Sequence, residues 1–397
     1  MVSKLVLLII TKNVKKDLIK EGHMVNKSRI LEEFCILVGI DALSYQEREI
    51  ADILKVYLTE LGFEVKEDNA GDFYSGNCGN IYGYLAGDIN GDSLLFSAHM
   101  DTVGPAHNKK AVIHEDGLIT SDGNTVLGAD DISGIVAILE AVRTIKEGGL
   151  SHRSIEVLFP IAEEVYIRGS EVFDYNIIKS KEAYVLDLSG PVGSAALSAP
   201  TLISFTVQIQ GKASHAGFAP ELGINAIAVA AQAIAQIKQG RIDEETTVNI
   251  GLIEGGKARN IVSDLCVLKG EIRSLTHDKA LFEAKNIEHI FTEITAINHA
   301  VLNFSTEFGC LSYKVEEKHP VVKRFQRVCE ELGYDTQFVS TFGGSDNNNF
   351  MRYGITGIVI ACGMNQVHSC DEYTHVDELV KCANIVVKLM TGKEDEL

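Results

Sequence analysis

Four apolar runs in this sequence stop at an acid or a histidine, and that punctuation restricts the fold more than any other feature. Ser93–Ala98 leads into His99-Met100-Asp101, Ile155–Ala162 into Glu163-Glu164, and Ala183–Leu186 into Asp187. Ile355–Cys362 reaches His368 a few residues later, and a fifth segment, Asp130-Asp131, opens a helical pattern. Short continuous apolar runs read as strands buried on both faces. In an open α/β sheet, functional side chains collect at the carboxyl ends of the strands. Segments far apart in the chain can thus deliver their side chains to one place.

The intervening patterns agree with such a sheet. Arg29–Val38 and Gln46–Leu61 have helical apolar spacing, and Gly62 ends the second. Ile81–Leu85 and Leu94–Ala98 are strand-like. Asp131–Ile145 carries an apolar stripe of Ile132, Ile135, Val136, Leu139 and Val142, stopped by Gly148-Gly149. Strands at Ile155–Ile161 and Tyr184–Leu188 continue the alternation of a doubly wound sheet. Past Pro200 the texture changes: Leu202–Gln210 alternates apolar and polar, the mark of a strand with one wet face. A helix at Asn225–Ile237, strands at Thr247–Ile253 and Cys266–Leu275, a helix near Lys279–Ile297 and a strand from Val301 follow. That β-α-β-β-α-β order predicts a ferredoxin-like α+β insert. From His319 helix–strand alternation resumes, and the strand before His368 must rejoin the first sheet. The expected fold is α/β, one catalytic domain of residues 24–200 and 311–397 interrupted by an insert of residues 201–310.

Composition excludes some partners. A net charge of -19 over 397 residues is the wrong sign for nucleic acid or an anionic membrane. Eight cysteines without a C-x-x-C pair or regular spacing read as buried thiols in a reducing compartment, the cytoplasm. Leu5–Ile10 is too short for a signal-peptide core and far below the ~20 residues of a membrane span. Lys20-Glu21-Gly22-His23 can be encoded by a purine-rich stretch resembling a ribosome-binding site. Met24 is therefore the expected start, with residues 1–23 a leader.

The constellation has metal chemistry. His99 and Asp101, two apart in extended backbone, point the same way, so the imidazole can ligate while the carboxylate orients it. Asp130 sits where a glycine turn enters a helix, and its two oxygens can bridge cations ~3.5–4 Å apart. Asp131 reads as a helix cap. Glu163 and Glu164 repel each other unless something positive lies between them. Their side chains diverge, so one can hold a metal while the other reaches water. Asp187 and His368 are, singly, a loop acid and a surface histidine; the joint occurrence of all five segments on strand ends favours a metal site.

The sequence resembles the M20 family of dizinc metallopeptidases, in its peptidase T (tripeptidase) branch, from about Met24 to the C-terminus. The matching text is Ser97-Ala98-His99-Met100-Asp101-Thr102-Val103, Leu127-Gly128-Ala129-Asp130-Asp131 and Ala162-Glu163-Glu164. Further on come Ser214-His215-Ala216-Gly217, Gly343-Gly344-Ser345-Asp346, and His368 before Asp371-Glu372. The resemblance implies a zinc-peptidase-like catalytic domain with a central mixed sheet and an insert serving as lid and dimerisation domain. It implies two Zn²⁺ per subunit, with Co²⁺ or Mn²⁺ as substitutes. Asp130 bridges, His99 and Asp187 complete one zinc, and Glu164 and His368 the other. Asp101 supports His99, and Glu163 is the general base that draws a proton from water and returns it to the leaving amine. His215 reaches across a homodimer to the oxyanion in the neighbouring site, and Asn260 and Arg273 contact substrate. A cis peptide follows the bridging Asp. Two departures concern subfamily and substrate: Ile132 stands where many relatives carry Lys, and Asp187-Leu188-Ser189-Gly190 is less glycine-rich.

The expected activity is a cytoplasmic zinc exopeptidase releasing N-terminal residues from short peptides. The same site would serve an N-acyl amino acid amidohydrolase, a carboxypeptidase or a dipeptidase, since insert loops set specificity. A non-catalytic binding protein is a further alternative, although such a protein is expected to lose the base or a ligand.

Overall fold

The computed structural model describes residues 25–392, so the expected start at Met24 and its leader lie outside the described residues. Two compact units emerge. The first holds the described residues through Ala195 together with Glu317–Phe338 and the segment from Ile355 onward. The second holds Ala196–Glu316 and Val339–Gly354.

A mixed sheet organises the first unit. From its edge the strands run Glu64–Glu67, Ile81–Leu85, Ile155–Phe159, Leu94–Ser97, Glu182–Leu188 and Thr356–Ala361. The first two junctions are antiparallel and the next three parallel. The four parallel strands are those that end in the acidic and histidine segments, so all four carboxyl ends open on one side of the sheet. Their apolar residues are buried almost completely, as two-faced strands require. The helix Ala129–Gly148 is enclosed over most of its circumference, not only along its predicted stripe. Helices Lys27–Val38 and Val376–Thr391 pack on it, and a helix apolar on all sides suits such a position. Its buried Glu140 is neutralised by Arg29 at 2.6 Å.

The edge strand Glu64–Glu67 and the small sheet of Val112–Ile113, Leu118–Thr120 and Tyr373–His375 have no counterpart in the sequence reading. Glu64-Val65-Lys66-Glu67 offers a single apolar side chain, too few to register as a pattern.

The second unit contains Thr201–Gln210, helix Ala226–Ile234, Thr246–Gly255, Leu265–Ser274, helix His277–Ile297 and Val301–Cys310, a β-α-β-β-α-β order. The long strands pair antiparallel in the order Thr246–Gly255, Leu265–Ser274, Thr201–Gln210, Val301–Cys310. Ile203, Phe205, Val207 and Ile209 alternate inward onto Val229, Ala233, Ile287 and Phe291 of the two helices. Val339–Gly354 clusters with this unit, whereas the sequence reading grouped it with residues 311–397. Hydrogen bonds explain the difference. Thr341 N–H donates to Ser198 O, Arg273 to Phe342 O, and Asn348 Nδ2 to Pro200 O and Leu311 O.

Candidate metal centre

The parallel strands bring five of the predicted side chains together. His99 Nε2 lies 3.0 Å from Asp130 Oδ1 and 3.9 Å from Asp187 Oδ1. His368 Nε2 lies 3.3 Å from Asp130 Oδ2 and 2.8 Å from Glu164 Oε2. Ligand atoms of His99, Asp130 and Asp187 thus converge as one triad, and those of Asp130, Glu164 and His368 as a second. Asp130 belongs to both, one oxygen turned to each.

Local folding explains how these groups are held. Gly128, at φ 81, turns the chain into the helix, and the Asp130–Asp131 peptide bond is cis. Asp131 accepts the His99 N–H at 3.2 Å and the Gly134 N–H at 3.3 Å, tying the strand end to the first helical turn. A side chain at Gly134 would collide with Leu186 O and Asp131 Oδ1, so only glycine lets the helix approach the strand bearing Asp187. His99 Nδ1 sits 2.9 Å from Asp101 O and 3.5 Å from Asp101 Oδ1, which leaves Nε2 to face Asp130. Asp101 Oδ1 and Oδ2 accept the N–H groups of Glu163 and Glu164 at 2.9 and 3.2 Å, and Ser44 donates to Oδ2 at 2.6 Å.

Two buried carboxyls without an assigned role in the sequence reading complete the frame. Glu372 accepts the Gly128 N–H at 2.7 Å and the Asp130 N–H at 2.9 Å, so the loop after His368 also fixes the acid common to both triads. Glu47 accepts the N–H groups of Tyr45 and Ala162. Neither could be found by periodicity, because both act by receiving backbone N–H groups from distant loops.

The electrostatics call for a cation. Asp130, Glu164 and Asp187 crowd into a largely buried space with two imidazoles, and Glu164 Oε1 is buried without a hydrogen-bond partner. An orphaned carboxylate oxygen aimed into such a cluster is costly unless something positive meets it. Imidazole and carboxylate donors without a thiol suit zinc, cobalt or manganese. The residues present therefore fit a pair of divalent ions.

Without metal, protons are held both in the centre and on the carboxyls that frame it. Hydrogen bonds to Asp130 and Glu164 raise the His368 imidazole to about 10 against the opposing effect of burial. Burial pushes Glu47 up to about 7, with the Asp101 charge adding to it. Burial likewise lifts Glu372 to about 7 despite hydrogen bonds from Asp130 and Gly128. All three hold a proton more tightly folded than unfolded, so folding is favoured at the acid end and weakens as pH rises. The carboxyl share is lost between about 4.5 and 7, and the imidazole share between about 6.5 and 10. The Tm of chelator-treated protein is accordingly expected to fall steadily between pH ~5.5 and ~7.5. Added metal should stabilise the protein more as pH rises, since it needs the neutral imidazole. Differential scanning calorimetry checks both trends; a metal-free Tm that rises over that window would contradict the proton assignment.

The other three predicted residues lie in the second unit. His215 and Asn260 share a loop pair, Ala216 N–H donating to Asn260 O at 3.0 Å, and both side chains are exposed. His215 Nδ1 accepts the Gly217 and Phe218 N–H groups at 3.1 and 3.2 Å, which places the proton of the neutral ring on the outward Nε2. Arg273 is not beside them: it pairs with Glu271 at 2.8 Å and donates to Phe342 O.

Residues 198–298 match the family model described as the peptidase dimerisation domain of M20, and residues 80–243 that of peptidase family M28. The chain is 37% identical to the uncharacterized protein YqjE of Bacillus subtilis, over 92% of this chain and 99% of that protein. Its structure is similar to a tripeptidase of Staphylococcus aureus at TM-score 0.90 and 33% identity, covering 93% of this chain and 98% of that one. It is similar also to aminopeptidase PepT of Bacillus cereus at TM-score 0.87 and 36% identity, covering 93% and 99%.

Proposed function

This chain belongs to the M20 peptidase family, in its peptidase T-like branch, and we propose from that premise that it removes the N-terminal residue of short peptides, tripeptides above all. The observation that carries the chemistry is the sharing of Asp130 between two triads. We assign Asp130 as the bridging ligand, His99 and Asp187 to one Zn²⁺, and Glu164 and His368 to the other, with Co²⁺ or Mn²⁺ able to substitute. When bound, such ions lower the pKa of water and polarise the scissile carbonyl.

The chain's own residues do the rest. Glu163, whose backbone Asp101 grips, takes a proton from the attacking water. As the C–N bond breaks, it returns that proton to the departing amine nitrogen, so that one water is added across one peptide bond. Asp101 orients the His99 ring, its carbonyl 2.9 Å and its carboxylate 3.5 Å from Nδ1. His215 of the partner subunit, with its donor on Nε2, supplies a hydrogen bond to the developing oxyanion, and Asn260 and Arg273 bind the rest of the peptide. Dimerisation through the insert is supported by the family match over residues 198–298, and by Leu252 and Ile253, exposed large apolar side chains on the strand Thr246–Gly255. Among the described residues, all eight cysteines are free, which supports a cytoplasmic setting, and no helix is long and apolar enough to cross a membrane.

A tripeptide panel with free, acetylated and amidated ends tests the substrate assignment. Release of the first residue should require a free N-terminus and tolerate C-terminal amidation. Preferred turnover of acetylated substrates would replace the reading with a deacylase. Sedimentation at micromolar protein should show a dimer; a monomer alone would exclude action of His215 in trans.

A further inference from the structure

Resting on the assignment of Glu163 as base, we propose that Glu47 is a positioning residue which, through the backbone of Ala162, aims Glu163 at its water. Left-handed backbone at residues other than glycine surrounds it. Nine such residues occur in the described chain, and Tyr45, Ala162, Tyr166, Ile167, Gln366 and His368 all lie on the loops that frame the metal centre. Conformations of this kind are held only where the surroundings over-determine them, and they gather at functional sites. Glu47 grips two of the six. Its Oε1 accepts the N–H of Tyr45, at φ 70, at 2.8 Å and that of Ala162, at φ 51, at 3.0 Å.

The grip on Ala162 continues into the catalytic pair. Successive N–H groups of Ala162, Glu163 and Glu164 are received by Glu47 Oε1, Asp101 Oδ1 and Asp101 Oδ2. Consecutive N–H groups turned to one side by a left-handed residue form an anion-binding concavity, and here two carboxyls of the protein fill it. On the other side the loop is closed by Ile167 N–H to Glu163 O and Arg168 N–H to Ala162 O, at 2.7 and 3.0 Å. Glu163 therefore departs from a backbone fixed on both sides. Removal of Glu47 frees one end while Asp101 and the metal ligands keep theirs.

The second oxygen shows which form of Glu47 acts. Glu47 is fully buried, and its Oε2 has no hydrogen-bond partner. A neutral side chain suffices for the grip, since only Oε1 receives backbone donors. Glutamine keeps that acceptor and sets an amide where the unpartnered oxygen stands. Alanine removes it, and aspartate, one methylene shorter, cannot span both N–H groups.

Three variants test this with two readouts. In the Glu47→Ala and Glu47→Asp proteins, kcat per metal-loaded site is expected to fall about 10–100-fold, the scale of a misplacement near 1 Å. KM should change less than about twofold, because the residues assigned to the rest of the peptide, His215, Asn260 and Arg273, lie on other segments. Glu47→Gln should restore kcat to within about threefold of wild type. Hydrogen exchange of metal-free protein, read by mass spectrometry over residues 160–168, supplies a readout without activity. Exchange there should quicken about tenfold in Glu47→Asp and stay near wild type in Glu47→Gln. Quickened exchange with unchanged kcat would overturn the positioning role. Loss of kcat in Glu47→Gln equal to that in Glu47→Asp would overturn it in favour of a charge requirement. If Glu163→Ala retains full turnover, the base assignment has failed instead, whatever the Glu47 variants do.

Discussion

Replacement of Glu163 by alanine is expected to lower kcat by roughly 10²–10⁴-fold, the range of a lost general acid–base group, with metal content and Tm near wild type. The expectation follows from how the residue is placed. Its N–H and that of Glu164 are bound to the two oxygens of a single carboxylate, Asp101, which holds the loop's backbone from outside. Glu164, by contrast, approaches His368 at 2.8 Å and belongs to a triad. Glu163→Ala should therefore retain both metals, whereas Glu164→Ala should lose one. Glu163→Gln discriminates further, because glutamine preserves size and hydrogen bonding but cannot accept the proton. Plasma mass spectrometry for metal, calorimetry for Tm and steady-state kinetics on one tripeptide make the comparison. Loss of metal from Glu163→Ala together with activity would move Glu163 from base to ligand.

The second large effect is expected at Asp130. Each triad contributes two side chains of its own and shares only this one. Asp130→Ala should thus empty both sites and reduce turnover to background, while Asp187→Ala, which touches one triad, should leave one equivalent bound. The loss in affinity at each site should exceed the roughly 10–100-fold that removal of an outer partner alone costs. Glu372 holds the Gly128 and Asp130 N–H groups and Asp131 ties His99 to the first helical turn, so the loop should survive the truncation. Retention of two equivalents by Asp130→Ala would show that the ions do not share a ligand.

Much of this site was open to a reading of the sequence because strand ends are marked by chemistry. An apolar run that stops at an acid states both an element and its destination, and four parallel strands turn four such statements into one place. His99 and His368, far apart in the chain, meet at Asp130 for that reason. The alternation after Pro200 likewise marked the second unit, whose inward Ile203, Phe205, Val207 and Ile209 follow the period of two.

What was not legible has a common physical cause. Glu47 and Glu372 work by accepting backbone N–H groups from loops 115 and 242–244 residues away. Such pairings leave no periodicity, and either residue reads equally well as a solvent-facing acid. Glu47 even stands where a helix begins, the ordinary place for an acidic side chain. The return of Val339–Gly354 to the second unit was hidden for the same reason, since donors such as Arg273 and Asn348 hold it at backbone carbonyls. Mostly charged edge strands such as Glu64–Glu67 escape because pairing, not burial, creates them.

One titration tests the two-metal peptidase assignment most directly: Zn²⁺ added to metal-free protein, with bound metal counted and hydrolysis of an unblocked tripeptide followed in the same samples. The predicted result is no turnover at zero metal, saturation at two equivalents per chain, and release of the first residue as product. Full turnover by metal-free protein, or two bound equivalents with no cleavage of any unblocked tripeptide, would contradict it.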